Sequence, residues 1–194
     1  MLSSGNERVF ILDSNAYLRL ADVLHPLLDL TFGDPPAKLI TIPEVNEELS
    51  RSHRLRSHFA WANQGDFIAD RKKNYPKIDR KTHGDVISAW EYLSGTARSE
   101  GLIVSPTDKY VLAYALVLGY KVVSDDRGMR QLAELYQIPM IGVIDFLIFL
   151  YDEGGASIET IQEVVDVMER RDDIPDPKTF FSKFGKLCQR AASL

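Results

Sequence analysis

Cysteine is nearly missing from this chain: Cys188 stands alone among 194 residues. One thiol excludes a disulfide scaffold and a cysteine-rich zinc site, and it fits a reducing, cytoplasmic setting. Long apolar runs are lacking too. The longest, around Val111–Leu118 and Met140–Leu150, are too short or are broken by Asp145, so no bilayer crossing is expected. A secretory leader is not expected either, because Glu7, Arg8 and Asp13 stand where its apolar centre would lie. No G-x-G-x-x-G or Walker-type loop is present, which disfavours a nucleotide cofactor. Histidine is scarce, and His53, His58 and His83 lack the tight spacing of metal ligands. There is no internal repeat and no low-complexity stretch. What remains is 45% hydrophobic and 26% charged, the composition of a globular protein, and long enough for one domain with an appendage.

The net charge of −5 argues at first against a nucleic-acid binder, but the sum hides its distribution. Between Arg51 and Lys81 nine basic residues face three acids, a local charge of +6. Between Asp152 and Asp176 nine acids face two arginines, a local charge of −7. Phe59, Trp61, Phe67 and Tyr75 are interleaved with the basic island. Cations that neutralise phosphates beside rings that stack on bases suit single-stranded nucleic acid. A solvated connector whose rings belong to the core is the other reading.

The hydrophobic pattern alternates between short apolar runs and helical periodicity. Strands are expected at Val9–Leu12, Lys38–Thr41, Leu102–Val104, Lys121–Ser124 and Met140–Ile144. Helices are expected at Ser14–Ala21, His25–Phe32, Pro43–Leu49, Arg54–Asn63, Thr82–Glu100, Ser105–Leu118 and Gly128–Tyr136, with Gly33–Pro36 as a turn. This order predicts an α/β protein: a central parallel sheet of about five strands flanked by helices. The division expected is 1–150 for that domain, with the basic segment 51–81 inside it, and 151–194 for a C-terminal helical extension. In the extension Ile158, Ile161, Val164, Val165 and Met168 form one apolar stripe. Phe180, Phe181, Phe184, Leu187 and Cys188 form a second. Packing against the main domain is the expected fate of both stripes, with Cys188 in the core.

In a parallel α/β sheet, ligands bind beyond the carboxyl ends of the strands, where helix N-termini also point. Asp13 directly follows the first strand, and Asp125 and Asp126 follow the strand at Lys121–Ser124. Asp108 lies in the first turn of a helix, and Glu44, Glu47 and Glu48 lie on the short helix opened by Pro43. No basic residue is expected on the same face as Asp13 or Asp108, although Lys109 and Arg127 are near in sequence. Singly, each acid reads as a helix cap, a turn or a solvated face. Together they repel unless protonated or bridged by cations. Oxygen donors without sulfur or clustered imidazole favour Mg²⁺ or Mn²⁺, and such ions serve phosphoester hydrolysis. Asp13-Ser14-Asn15 lacks the second aspartate that a haloacid-dehalogenase-like phosphatase requires.

The blocks that carry these acids resemble PIN-domain ribonucleases. Val9-Phe-Ile-Leu-Asp-Ser-Asn15 is similar to that family's opening strand and first acid. Pro43-Glu-Val-Asn-Glu-Glu-Leu49 is similar to its proline, valine and Glu-Leu pattern, which places the family glutamate on Glu48, with Glu44 and Glu47 as alternatives. Ser105–Ala115 resembles its third acid and alanine-bearing helix. Gly119–Asp126 resembles its glycine, strand, Ser/Thr and final acid. The four blocks occur in family order. The resemblance implies an endoribonuclease similar to VapC-type toxins, with Asp13, Glu48, Asp108 and Asp126 ligating Mg²⁺ or Mn²⁺ and Asp125 as a further ligand. Asn15 and Ser124 would support the site while water attacks the RNA backbone. Arg51, Arg54, Arg56, Arg71, Lys72 and Lys73 would hold single-stranded or structured RNA. A homodimer and a small antitoxin partner are implied as well. The rival expectation is a PIN-like module without catalysis that acts through its C-terminal helices.

Overall fold

A computed structural model describes residues 8–193; Glu7 and the start of the expected 1–150 unit lie outside the described residues. Strand β1 (Arg8–Leu12) is central because Phe10, Ile11 and Leu12 are buried on both faces. Helix α1 (Ser14–Leu24) follows directly. The chain then makes a one-turn helix at Leu27–Asp29 and the two-residue strand β2 (Thr31–Phe32), where a helix over His25–Phe32 was expected. Pro26 precludes helical continuity there, and the Gly33–Pro36 turn folds β2 back antiparallel onto β3 (Ala37–Ile40). Phe32 thereby enters the core against Phe146 and Phe149.

Beyond β3 come α2 (Pro43–Arg51), α3 (His53–His58), a short helical turn at Ala60–Asn63, α4 (Gly65–Lys73) and α5 (Arg80–Ser99). Helix α6 (Pro106–Leu118) ends at Gly119, whose φ of 71° gives the left-handed cap that turns the chain into β4 (Lys121–Val123). Helix α7 (Arg127–Leu135), β5 (Met140–Ile141), α8 (Val143–Asp152), α9 (Ile158–Arg170) and α10 (Pro177–Ala191) complete the chain.

Among the described residues the sheet has five strands in the order β2-β3-β1-β4-β5, all parallel except β2. The expected strand at Leu102–Val104 is irregular chain instead. The places on both sides of β1 belong to β3 and β4, and Ile103 is 94% exposed. Gly128 lies against this segment so closely that a Cβ there would stand 2.3 Å from the Ile103 carbonyl oxygen. The run expected as a strand to Ile144 yields to α8 after Ile141, because a short apolar run reads alike as buried strand or buried helix.

Both C-terminal stripes pack inward apart from Phe181, which stays exposed. Ile161, Val164, Val165, Met168, Phe180, Phe184 and Leu187 join the same buried cluster as Phe10 and Ile11, and Cys188 packs against it half-buried. Helix α9 lies on α1 and α10 on α8. The expected boundary between residues 150 and 151 falls within α8. Among the described residues no helix is long and apolar enough to cross a membrane.

Candidate functional site

The parallel strand order reverses between β1 and β4, and the crevice outside their carboxyl ends is where a doubly wound sheet accepts ligands. Asp13 ends β1 and Ser124-Asp125-Asp126 ends β4, so ladder geometry sets these residues side by side: the Asp13 amide donates to the Val123 carbonyl at 3.4 Å. Asp13 and Asp126 act alike locally. Each caps the helix after its strand, accepting from the amide three residues on (Ala16 and Met129) at 2.6 Å. Ser105 caps α6 by accepting from the Asp108 amide at 3.0 Å. Glu48, in the second turn of α2, accepts from the Ser14 hydroxyl at 2.5 Å. Ser124 is fully buried and accepts from the Asp126 amide at 3.0 Å.

Charge couples these side chains. Burial pushes the Asp13 carboxyl up to about 7; the Ser124 hydroxyl, the Ala16 amide and Arg19 oppose that rise, and the Asp108 charge adds to it. Asp108 is also raised, first by burial and then by the charges of Glu48 and Asp126, against hydrogen bonding from Ser105. Carboxylates from four chain segments therefore gather around Asp108, which feels the charges of Glu48 and Asp126 and whose own charge reaches Asp13. Such a group favours protons or cations between its members.

Oxygen donors of this kind match Mg²⁺ or Mn²⁺ in hardness. Their present arrangement is another matter. Among the described residues no three carboxylate, histidine or cysteine side chains form a group that could hold a metal ion as they stand. The hydrogen bonds above give the reason: one oxygen of Asp13 and of Asp126 is committed to a helix cap, and Glu48 is drawn to Ser14. The donor set of Asp13, Glu48, Asp108 and Asp126 is all oxygen and fits a hard cation, with the Ser124 hydroxyl also bonded to the Asp13 carboxyl.

Asp125 departs from its expected role. Its Oδ2 lies 3.1 Å from Arg19 Nη1 and its Oδ1 accepts from the Val143 amide at 3.2 Å, so both oxygens serve the junction of α1 and α8. Arg19 also corrects the expectation that no cation shares a face with Asp13. It sits one turn along α1 from Asn15, and Asn15 is exposed at the crevice, lining its walls with Asp13 and Asp126. That helical spacing was the available signal for Arg19; its other partner, Asp173, lies 154 residues away.

The basic island is not one surface. Arg71, expected to contact RNA, is fully buried: its Nε donates to Asn46 Oδ1 at 2.9 Å and its Nη1 to the Tyr17 hydroxyl at 3.1 Å. Lys73 reaches Asp29 at 2.6 Å, and Arg51 pairs with Glu47 at 3.0 Å along α2. Arg54, Arg56 and Lys72 are exposed. Arg54 and His58 line a cleft of about 360 Å³ that also contains Asn15 and Phe59. Arg51 lines another beside Glu48. The rings expected to meet bases pack mostly inward: Phe67 is buried against His25 and Trp61, at centroid distances of 3.9 and 4.8 Å. Phe59 alone of the four lines that cleft, under the Arg171 guanidinium.

No family model matches the chain, and no curated protein matches it in sequence. Among solved structures, a crystal structure of FitAcB from Neisseria gonorrhoeae is similar at 12% identity, over 69% of this chain and 97% of that one, with a TM-score of 0.46. A likeness of that size leaves function to be argued from the chain's own residues.

Proposed function

We propose that this protein is a PIN-like endoribonuclease that hydrolyses RNA phosphodiester bonds with Mg²⁺ or Mn²⁺ held by Asp13, Glu48, Asp108 and Asp126. The observation that carries the reading is the delivery of carboxylates from four chain segments towards the crevice between β1 and β4, where Asp108 feels Glu48 and Asp126 and adds to the rise of Asp13 to about 7. The metal, when bound, would lower the pKa of a water and neutralise charge on the phosphate. Ser124 holds the backbone of Asp126 and hydrogen bonds to Asp13, while Asn15 stands at the mouth of the crevice, placed to meet substrate. Arg54, with Arg51 and Arg56, supplies the positive approach for RNA. Arg71 does not belong to that approach. The proposed setting is the cytoplasm. A second copy of the chain and a small antitoxin are proposed partners, for which exposed Ile87 and Tyr92 on α5, Leu116 on α6 and Leu135 on α7 offer apolar surface.

Purified protein should cut single-stranded RNA when Mg²⁺ or Mn²⁺ is supplied, and Asp13→Asn or Asp126→Asn should lower the rate by a factor on the order of 10³. Cutting undiminished in both variants would remove these residues from the site. The second reading, a module without catalysis that works through α9 and α10, draws support from the committed oxygens of Asp13, Asp126 and Glu48. Calorimetry separates the two: an absence of Mn²⁺ binding at millimolar metal favours the module.

A further inference from the structure

Arg19 is 12% exposed and stands between two carboxylates from distant parts of the chain. Its Nη1 lies 3.1 Å from Asp125 Oδ2, and its Nε and Nη2 grip both oxygens of Asp173 at 3.0 and 2.7 Å. A planar fork that holds two oxygens of a carboxylate holds two oxygens of a phosphodiester equally well. Asp173 belongs to the link between α9 and α10, which also carries Asp172 and Asp176. Those two residues have φ of 52° and 41°, a backbone that residues other than glycine keep only when their surroundings hold them there. Arg171 anchors the near end of the link, paired with Asp22 and lying over the Phe59 ring at 5.5 Å.

The link separates two spaces. Pro175 forms a wall of the pocket of about 220 Å³ that contains Asp13 and Asp126. Arg171 to Asp173 form a wall of the cleft of about 360 Å³ that contains Arg54 and His58. Asn15 lines both, so the link lies where a strand would pass from the basic cleft to the carboxylates. The Asp172 carboxylate makes no hydrogen bond or ion pair among the described residues, yet the residue faces the same cleft as Arg54. Its charge opposes an incoming polyanion without serving a contact in the fold.

Resting on the ribonuclease reading, we propose that Arg19 receives a backbone phosphate of the RNA and that Asp173 holds the place of that phosphate until RNA displaces the link. The link is then an internal competitor, a short run of carboxylates occupying the path of a phosphate chain. Neutralising it should strengthen binding, and the strengthening should pass through Arg19.

The test is anisotropy of a fluorescein-labelled 12-nucleotide oligouridine on the full chain, with Ca²⁺ in place of Mg²⁺, beside cleavage of the same RNA in Mn²⁺. Asp173→Asn should bind about tenfold more tightly than wild type, with a salt slope steeper by about 0.7, the value for one more phosphate contact on a single strand. Asp172→Asn, which loses no contact and suits a left-handed backbone, should bind about threefold more tightly through Coulomb relief alone. The double variant Arg19→Gln/Asp173→Asn should lose the tenfold gain while remaining folded by circular dichroism. Wild type that binds or cuts RNA, with Asp173→Asn no tighter, overturns the competitor and leaves the ribonuclease reading standing. RNA neither bound nor cut by wild type, Asp172→Asn and Asp173→Asn overturns the ribonuclease reading and the competitor with it.

Discussion

The carboxylate crevice and the basic island carry opposite charge, and they obey different rules. In the crevice the acids are placed by backbone: Asp13 and Asp126 follow adjacent parallel strands and cap the helices that leave them. Their positions are fixed whatever their side chains then bind. In the island the cations are placed by long, flexible side chains, and each finds its own surroundings. Arg71 enters the core, Lys73 finds Asp29, and Arg54 remains at a cleft. A cluster of charge in sequence becomes a cluster in space only where the backbone enforces it.

The largest effect expected of the crevice is on stability. An acid raised by burial keeps its proton in the folded chain while the unfolded chain has lost its own. Stability contributed by protonated Asp13 is therefore full below pH about 4, and it is lost as pH rises towards about 7. A difference of about three pKa units corresponds to about 4 kcal/mol. Asp13→Asn keeps a capping oxygen for Ala16 and cannot ionise. Metal-free Asp13→Asn should accordingly melt higher than wild type at pH 8 and should lack the decline between pH 4 and 7. Added Mn²⁺ should raise the melting temperature of wild type more than that of the variant. Parallel pH profiles for the two proteins would show that the crevice stores no such charge.

The island offers the reverse case. Arg71 makes hydrogen bonds to Asn46 and Tyr17, its guanidinium lies 5.1 Å over the Tyr17 ring, and its Nη2 has no hydrogen-bond partner among the described residues. Arg71→Ala should cost about 3 kcal/mol in denaturant unfolding, from lost packing and two abandoned polar partners. Arg71→Met, which refills most of the volume, should recover more than half of that cost and leave RNA affinity unchanged. Loss of RNA affinity in a folded Arg71→Met would return this residue to the binding surface.

Legibility follows the same division. Asp13 was readable because the short apolar run Val9–Leu12, rich in branched and aromatic residues, reads as a buried strand with the acid at its end. Pro43 marked the start of α2, but the choice of Glu48 over Glu44 and Glu47 came from the family resemblance alone and not from helix geometry. The parallel sheet followed from alternation, although β2 did not, since a two-residue strand has no period to detect. For Arg19 only the one-turn spacing from Asn15 was readable, and its pairing was not, because Asp125 and Asp173 lie 106 and 154 residues further along the chain. Arg71 was misread because composition treats arginine as surface, and only the placement of Tyr17 and Asn46 reveals a buried seat for it.

The smallest effects separate cations of the island that composition alone treats alike. Arg54 lines the cleft beside Asn15 and has no ion pair among the described residues, whereas Lys73, on the last turn of α4, has its Nζ 2.6 Å from Asp29. Arg54→Ala should weaken oligouridine binding by about three- to tenfold and make its salt slope shallower by about 0.7, with a stability change below about 0.5 kcal/mol. Lys73→Ala should leave both binding and slope unchanged, since its charge is already answered, and should cost no more than the ~0.5 kcal/mol of an exposed pair. If the two variants weaken binding equally, the island acts by its summed charge and the cleft has no privileged place. If only Arg54→Ala does so, RNA follows the one part of the island that leads to Asn15 and the carboxylates behind it.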